Sequence, residues 1–183
     1  MIWIVLSYIF NFLGLGCFIV SYLVKGKKMG AILFLNFCGN AWIGFAYLAD
    51  GKGINGAISS FVGAFPAIIN YFFSVREKRL PIWLIGVYAC AFIAVNLWLG
   101  GITWPTALAI VACLCSVMAI AQSSGKQYRI WSLCNSGFWG IYDILMHTYG
   151  GLIIHVVLFL FTLVGMFIND KKTEKTSDED KSV

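Results

Sequence analysis

Charge is what these 183 residues have least of. Lys and Arg number 13, Asp and Glu 8 and His 2, so charged side chains make up 11% of a chain that is 60% hydrophobic. A soluble domain carries about a quarter of its residues as charges, and no water-facing surface can be built from this composition. The shortage is also uneven. No Asp, Glu, Lys or Arg occurs between Arg79 and Lys126, while basic residues gather in short clusters such as Lys25-Gly26-Lys27-Lys28 and Arg76-Glu77-Lys78-Arg79.

Other absences narrow the function. No basic residue precedes the apolar run from Ile2 to Val24, so this run is read as a retained helix rather than a signal peptide, despite a Gly16-Cys17 pair that mimics a lipoprotein cleavage site. Cys17, Cys38, Cys90, Cys113, Cys115 and Cys134 all fall inside apolar segments without metal-ligand spacing and are expected to act as small buried hydrophobes. No nucleophile stands beside a base, no phosphate-binding loop is present, and His147 and His155 are the whole histidine inventory. The expectation is a protein that is not an enzyme, with no catalytic residue, no metal and no cofactor. The net charge of +5 is accounted for by membrane orientation, so no nucleic-acid partner is needed.

What is present is a series of apolar segments of membrane-spanning length. A helix rising about 1.5 Å per residue needs about 20 apolar residues to cross the hydrocarbon core, and lipid forces each crossing to be helical. The expected spans are Ile2 to Val24, Met29 to Ala49, Gly53 to Val75, Leu80 to Leu99, Trp104 to Gln122, Ile130 to Thr148 and Gly151 to Ile168. Lys and Arg excess marks the cytoplasmic side. Connections one, three and five plus the tail hold every basic residue except Lys52. Seven spans with the N-terminus outside and the C-terminus in the cytoplasm follow. The charged stretch 171–183 lacks aromatics and is expected to be a disordered cytoplasmic tail.

An internal repeat organises the spans. A shift of 99 positions superimposes Gly26 on Gly125, Lys27 on Lys126, Asn36 on Asn135, Gly51 on Gly150, Ile54 on Ile153, Ile69 on Ile168 and Asn70 on Asn169. Loops and spans stay in register. The expected fold is an all-α membrane protein in which residues 1–75 form one three-helix repeat, 80–99 a linker helix and 104–170 a second repeat in parallel orientation. Parallel repeats of this kind occur in transporters, with the solute site between the halves near the bilayer midplane.

Polar side chains at membrane depth are costly unless they face a partner, water or a cavity. In the sixth span Ser132, Asn135, Ser136, Trp139, Tyr142 and Asp143 recur at steps that place them along one stripe. The second span holds Asn36, Asn40 and Tyr47, and the repeat places Asn36 opposite Asn135. Carboxamides donate and accept hydrogen bonds and aromatic faces stack on flat groups, so the set suits a small polar solute. Asp143 and His155, across the Gly150-Gly151 turn, are expected to pair, as a proton-responsive element, a solute contact or a structural pair at the interface. The candidate solute-binding residues are Asn36, Asn40, Ser132, Asn135, Trp139, Tyr142, Asp143 and His155. Helix-to-helix adhesion by Asn and Ser is the plain alternative. Trp83, Trp98 and Trp104 are expected to anchor helix ends at the headgroups. Pro66, Pro105 and the glycine pairs are candidate hinges.

The stretch from Trp98 to Asn169, above all Asn135-Ser-Gly-Phe-Trp139-Gly-Ile-Tyr142-Asp143 followed by Gly150-Gly151, resembles the bacterial inner-membrane family named for YgjV, with Asp143 where that run is expected to hold Asn. The resemblance implies a multi-pass protein of the bacterial cell (inner) membrane. The 3+1+3 plan looks like the SWEET sugar and PnuC vitamin transporters, which implies facilitated movement of a neutral solute, although the SWEET Pro-Gln pair is absent. The sequence therefore reads as a facilitator or transporter of a small polar, neutral solute, embedded in the lipid bilayer, with homo-oligomer formation left open. The competing reading is a non-transporting scaffold or accessory protein.

Overall fold

The computed structural model describes residues 2–25, 28–50, 54–78, 80–147 and 149–179, with side chains described except at 50, 54–56, 149–151 and 170–179. Among them are seven helices and no strand: α1 (Ile2–Leu23), α2 (Met29–Asp50), α3 (Ile54–Val75), α4 (Ile82–Gly100), α5 (Trp104–Ile120), α6 (Gly125–Leu145) and α7 (Tyr149–Glu179). Five of them, α1, α2, α3, α4 and α7, contain stretches long and apolar enough to cross a membrane. The 17-residue α5 is apolar but shorter, and α6 carries Lys126, Arg129 and Asp143.

Local chemistry sets the helix ends. Gly101, at φ 63°, turns the chain out of α4 and returns its N–H to the Leu97 carbonyl at 2.9 Å. The Thr103 hydroxyl accepts the Thr106 N–H at the start of α5, just ahead of Pro105 in the first turn. The Ser124 hydroxyl accepts the Gln127 N–H in the same way, and this cap starts α6 at Gly125 rather than at the expected Ile130. The turn after α6 is carried by His147, in the left-handed region at φ 55°. Gly150 and Gly151 lie instead in the first turn of α7. Helix α7 also continues to Glu179, where a disordered tail was expected from Lys171. An established helix extends cheaply once nucleated, and Lys and Glu favour it. Gly26, Lys27 and Gly51 of the repeat, and residues 180–183, lie outside the described residues.

Helix α1 packs on α2 and α2 on α3, while α5 packs on α6 and α6 on α7. The two groups meet twice, α1 against α7 and α3 against α5, and α4 lies beside α5 with a lighter contact to α3. The described basic side chains, among them Lys25, Lys28, Arg76 and Lys126, gather where α1, α3 and α5 finish and α2, α4 and α6 begin, here termed the basic end. One buried cluster, including Tyr22, Ile32, Leu33, Ile120 and Tyr128, sits near it. A second joins Tyr88, Phe92, Cys113 and Val117, with Trp139 packed against it. Helix α3 runs unbroken through Pro66, and Trp83, Trp98 and Trp104 are exposed near helix ends. The cysteines divide: Cys113 and Cys115 are buried as expected, but Cys90 and Cys134 are exposed on helices whose outward faces are apolar.

Candidate functional site

The eight residues singled out by sequence fall into two groups separated along α6. Toward the basic end, Asn36 donates to the Tyr128 hydroxyl at 3.1 Å, and Asn40 donates to both the Asn36 carboxamide oxygen and the Asn36 carbonyl at 3.0 Å. Ser132 lies beside the hydroxyls of Tyr22 and Tyr128, with Thr162 near Tyr22 and Ser21 near Tyr128. All of these except Asn40 are buried. The network spans α1, α2, α6 and α7 and engages its polar atoms with one another, so Asn36, Asn40 and Ser132 hold helices together.

This arrangement corrects the expected opposition of two carboxamides. Asn36 bonds Tyr128 rather than Asn135. Asn135, its counterpart in the repeat, has a buried side-chain oxygen without a hydrogen-bond partner, and so does the Ser136 hydroxyl next to it. The repeat itself supplies a reason. The position equivalent to Tyr128 is Met29, which offers no donor, so the mirrored bond cannot form.

Arg129 is the residue that sequence reading missed. Counted there as a loop charge, it sits in the second turn of α6 with 0% of its surface exposed. Its Nε donates to the Tyr22 carbonyl at 2.9 Å and its Nη2 to the Val24 carbonyl at 2.6 Å. Asn169 adds a bond to the Leu23 carbonyl at 3.1 Å, so three consecutive carbonyls at the end of α1 are satisfied from α6 and α7. A guanidinium suits this place, because the last carbonyls of a helix are unpaired and carry its negative pole. Across the bundle Asn70, the repeat counterpart of Asn169, donates to the Ile120 carbonyl at the end of α5 at 2.8 Å and accepts from the Tyr88 hydroxyl at 3.2 Å.

Toward the opposite end, Asp143 and His155 do pair, with 2.7 Å between Oδ2 and Nδ1. Asp143 is 5% exposed. The Trp139 indole stacks on the imidazole at 5.8 Å and 9° between planes, and Tyr142 meets the indole edge-on at 5.2 Å. Tyr47 of α2 lies within electrostatic reach of Asp143 and Tyr142 and is 43% exposed. It also lines a pocket of about 220 Å³ with Ser7, Asn11 and Ala46, near the start of α1 and the end of α2. Ser7 and Asn11 were not singled out from sequence, although their four-residue spacing places them on one face of α1. A second, largely apolar groove of about 260 Å³ runs between α6 and α7, past Ser136, Gly137, Gly140 and His155.

A carboxylate, an imidazole and aromatic faces can bind a polar or charged group and exchange a proton with it. Among the described residues no group of three or more His, Cys, Asp or Glu is placed to hold a metal ion. A family model described as Imp-YgjV, bacterial inner membrane protein, matches residues 5–173. Comparison with curated proteins and with solved structures found no match.

Proposed function

We propose, for a chain that belongs to the Imp-YgjV family of bacterial inner membrane proteins, a role as a facilitator or transporter of a small polar solute. Its seven helices all cross the bilayer in this reading, with the N-terminus outside and the C-terminus cytoplasmic. The observation that carries the proposal is the unpartnered pair on α6, the Asn135 side-chain oxygen and the Ser136 hydroxyl. They lie between a closed basic-end network and the Asp143 and His155 cluster. Buried polar atoms in a protein interior are nearly always paired, and orphaned ones call for an explanation. A solute that donates hydrogen bonds supplies one.

Two relationships support the parallel-repeat plan behind this reading. Contacts α1 with α7 and α3 with α5 are the pair a two-fold axis would exchange. Asn70 and Asn169 then play one role twice, each closing the end of the first helix of the other triad. Helix α4 is the linker, and rocking of one triad against the other gives alternating access. The closed basic end and the exposed Tyr47 beside its pocket correspond to a form open toward the outside.

The scaffold reading keeps one specific observation in its favour: Asn36, Asn40 and Ser132 serve helix adhesion. A thermal-shift screen of detergent-purified protein against sugars, nucleosides, vitamins, amino acids and amines separates the two, with Asn135→Ala run in parallel. A shift that the variant loses supports solute binding. A flat screen with both proteins folded sinks it.

A further inference from the structure

The outer cluster already contains a cation-binding arrangement, occupied by the protein's own side chain. The imidazole of His155 has the Asp143 carboxylate 2.7 Å from Nδ1 and the Trp139 indole parallel to its ring at 5.8 Å. An anion at the edge and an electron-rich face against the plane are the two features that hold a charged imidazolium. Lose that proton, and the Asp143 carboxylate is left among the rings of Tyr47, Trp139 and Tyr142 with its neutralising charge gone. Burying an uncompensated carboxylate is expensive, so the vacancy favours another positive charge.

We propose that this cluster binds a small organic cation of the ammonium class in exchange for the proton on His155. The inference rests on the transport reading above and gives it a substrate class, a cation instead of the neutral solute expected from sequence. The exchange balances. The imidazolium releases one proton from its ring to external water, the ammonium group takes its place as counter-charge to Asp143, and no covalent bond to the solute forms or breaks. The loaded and the protonated clusters therefore carry the same net charge, so the low dielectric of the membrane penalises neither more than the other. Tyr47, shared between the cluster and the pocket lined by Ser7 and Asn11, supplies the way in.

The groups that bear on the exchange come from several elements. His155 faces Asp143 from α7, Tyr47 from α2 and Tyr142 from α6 itself. Tyr8 of α1 stands on the pocket wall, and His147 closes α6. The only titratable side chains of α5 are Cys113 and Cys115, both buried. Asp50 and Lys52, between α2 and α3, lie outside the described side chains.

The test uses the full chain in detergent micelles, with choline and propylammonium as probes and 3,3-dimethylbutan-1-ol as the uncharged carbon isostere of choline. Tryptophan fluorescence reads binding, and an indicator dye in weak buffer reads proton release. The expected result is saturable binding of at least one cation, with the isostere roughly tenfold or more weaker. Bound cation should release about one proton at mildly acid pH, where imidazole is charged, and progressively less as pH rises. His155→Gln should bind the cation without proton release, and Asp143→Asn should lose binding. Equal binding of the isostere, cation binding with no proton release by the wild type, or silence from both cations would overturn the proposal. A neutral solute found by the thermal-shift screen while both cations stay silent would overturn this inference and leave the transport reading standing. Both fail if nothing binds.

Discussion

Arg129 and Tyr22, 107 positions apart in the chain, are joined by a 2.9 Å hydrogen bond from the guanidinium Nε to the backbone carbonyl oxygen. With the 2.6 Å bond to Val24 it ties the end of α1 to α6 where no water competes. Hydrogen bonds to charged groups contribute about 1.5 to 3 kcal/mol, and unpaired helix-end carbonyls in a buried site cost further. Arg129→Met should therefore lose on the order of 3 kcal/mol, read as a lower melting temperature in detergent. Arg129→Lys keeps the charge but not the fork, and should fall between the two. A methionine variant as stable as wild type would show that Arg129 does not latch α1.

Gly165 tests the same contact from the other side. A Cβ built there would sit 2.3 Å from the Tyr22 carbonyl oxygen and 3.3 Å from the Arg129 Nε. The obstruction is backbone, which cannot swing aside as a side chain would. Gly165→Ala should push α7 off α1 and cost about 1 to 3 kcal/mol. Gly137, with nothing within 4 Å of the same construction, is the control, and Gly137→Ala should melt close to wild type.

These residues also show where sequence reading succeeds and fails. Hydropathy period and charge clusters placed all seven helices, because lipid demands long apolar helices and leaves the chain few alternatives. Asp143 and His155 were legible as a pair because both lie near a common turn. Arg129 was not, since a basic residue between two apolar runs looks the same whether it faces cytoplasm or caps a buried helix end. Only the packing of α1 against α7, a contact between the two extremes of the chain, distinguishes the cases. The orphaned Asn135 was visible as a polar residue, but its lack of a partner depends on Met29 standing where the other half has Tyr128.

The seams between the two triads should respond alike to loss of their repeat-related asparagines. Asn70→Leu removes a bond to the Ile120 carbonyl and strands the Tyr88 hydroxyl, and Asn169→Leu removes a bond to Leu23. Membrane-protein hydrogen bonds average below about 1 kcal/mol, and the stranded hydroxyl makes the Asn70 change the larger of the two. Chemical melts of the two variants check the order. The reverse ranking would mean that the α3 and α5 seam does not depend on Asn70.

Orientation has a direct readout. A green fluorescent protein fused to the C-terminus should fluoresce, because that end is read as cytoplasmic. Alkaline phosphatase, active only outside, should be active when fused after Gly101, where α4 gives way to α5, and inactive at the C-terminus. The basic residues make this strong: six described ones, Lys25, Lys28, Arg76, Lys78, Lys126 and Arg129, lie at one end. Activity of the phosphatase at the C-terminus would invert the whole topology and, with it, the side from which the Asp143 cluster is reached.

Asn36 and Asn135 occupy equivalent places in the repeat but should separate stability from function. Asn36 is bonded to Tyr128 and receives a bond from Asn40, so Asn36→Leu strands two neighbours and should lose on the order of 1 to 2 kcal/mol. Asn135 has a buried oxygen that bonds to nothing, so Asn135→Leu removes an unpaired polar atom and should melt at or above wild type. If Asn135 exists to hold solute, the same substitution should abolish the ligand-induced shift that Asn36→Leu only weakens through instability. A variant that gains stability and loses ligand response would identify the unpaired carboxamide as a cost retained for binding. One that gains stability and keeps the full response would remove Asn135 from the solute site.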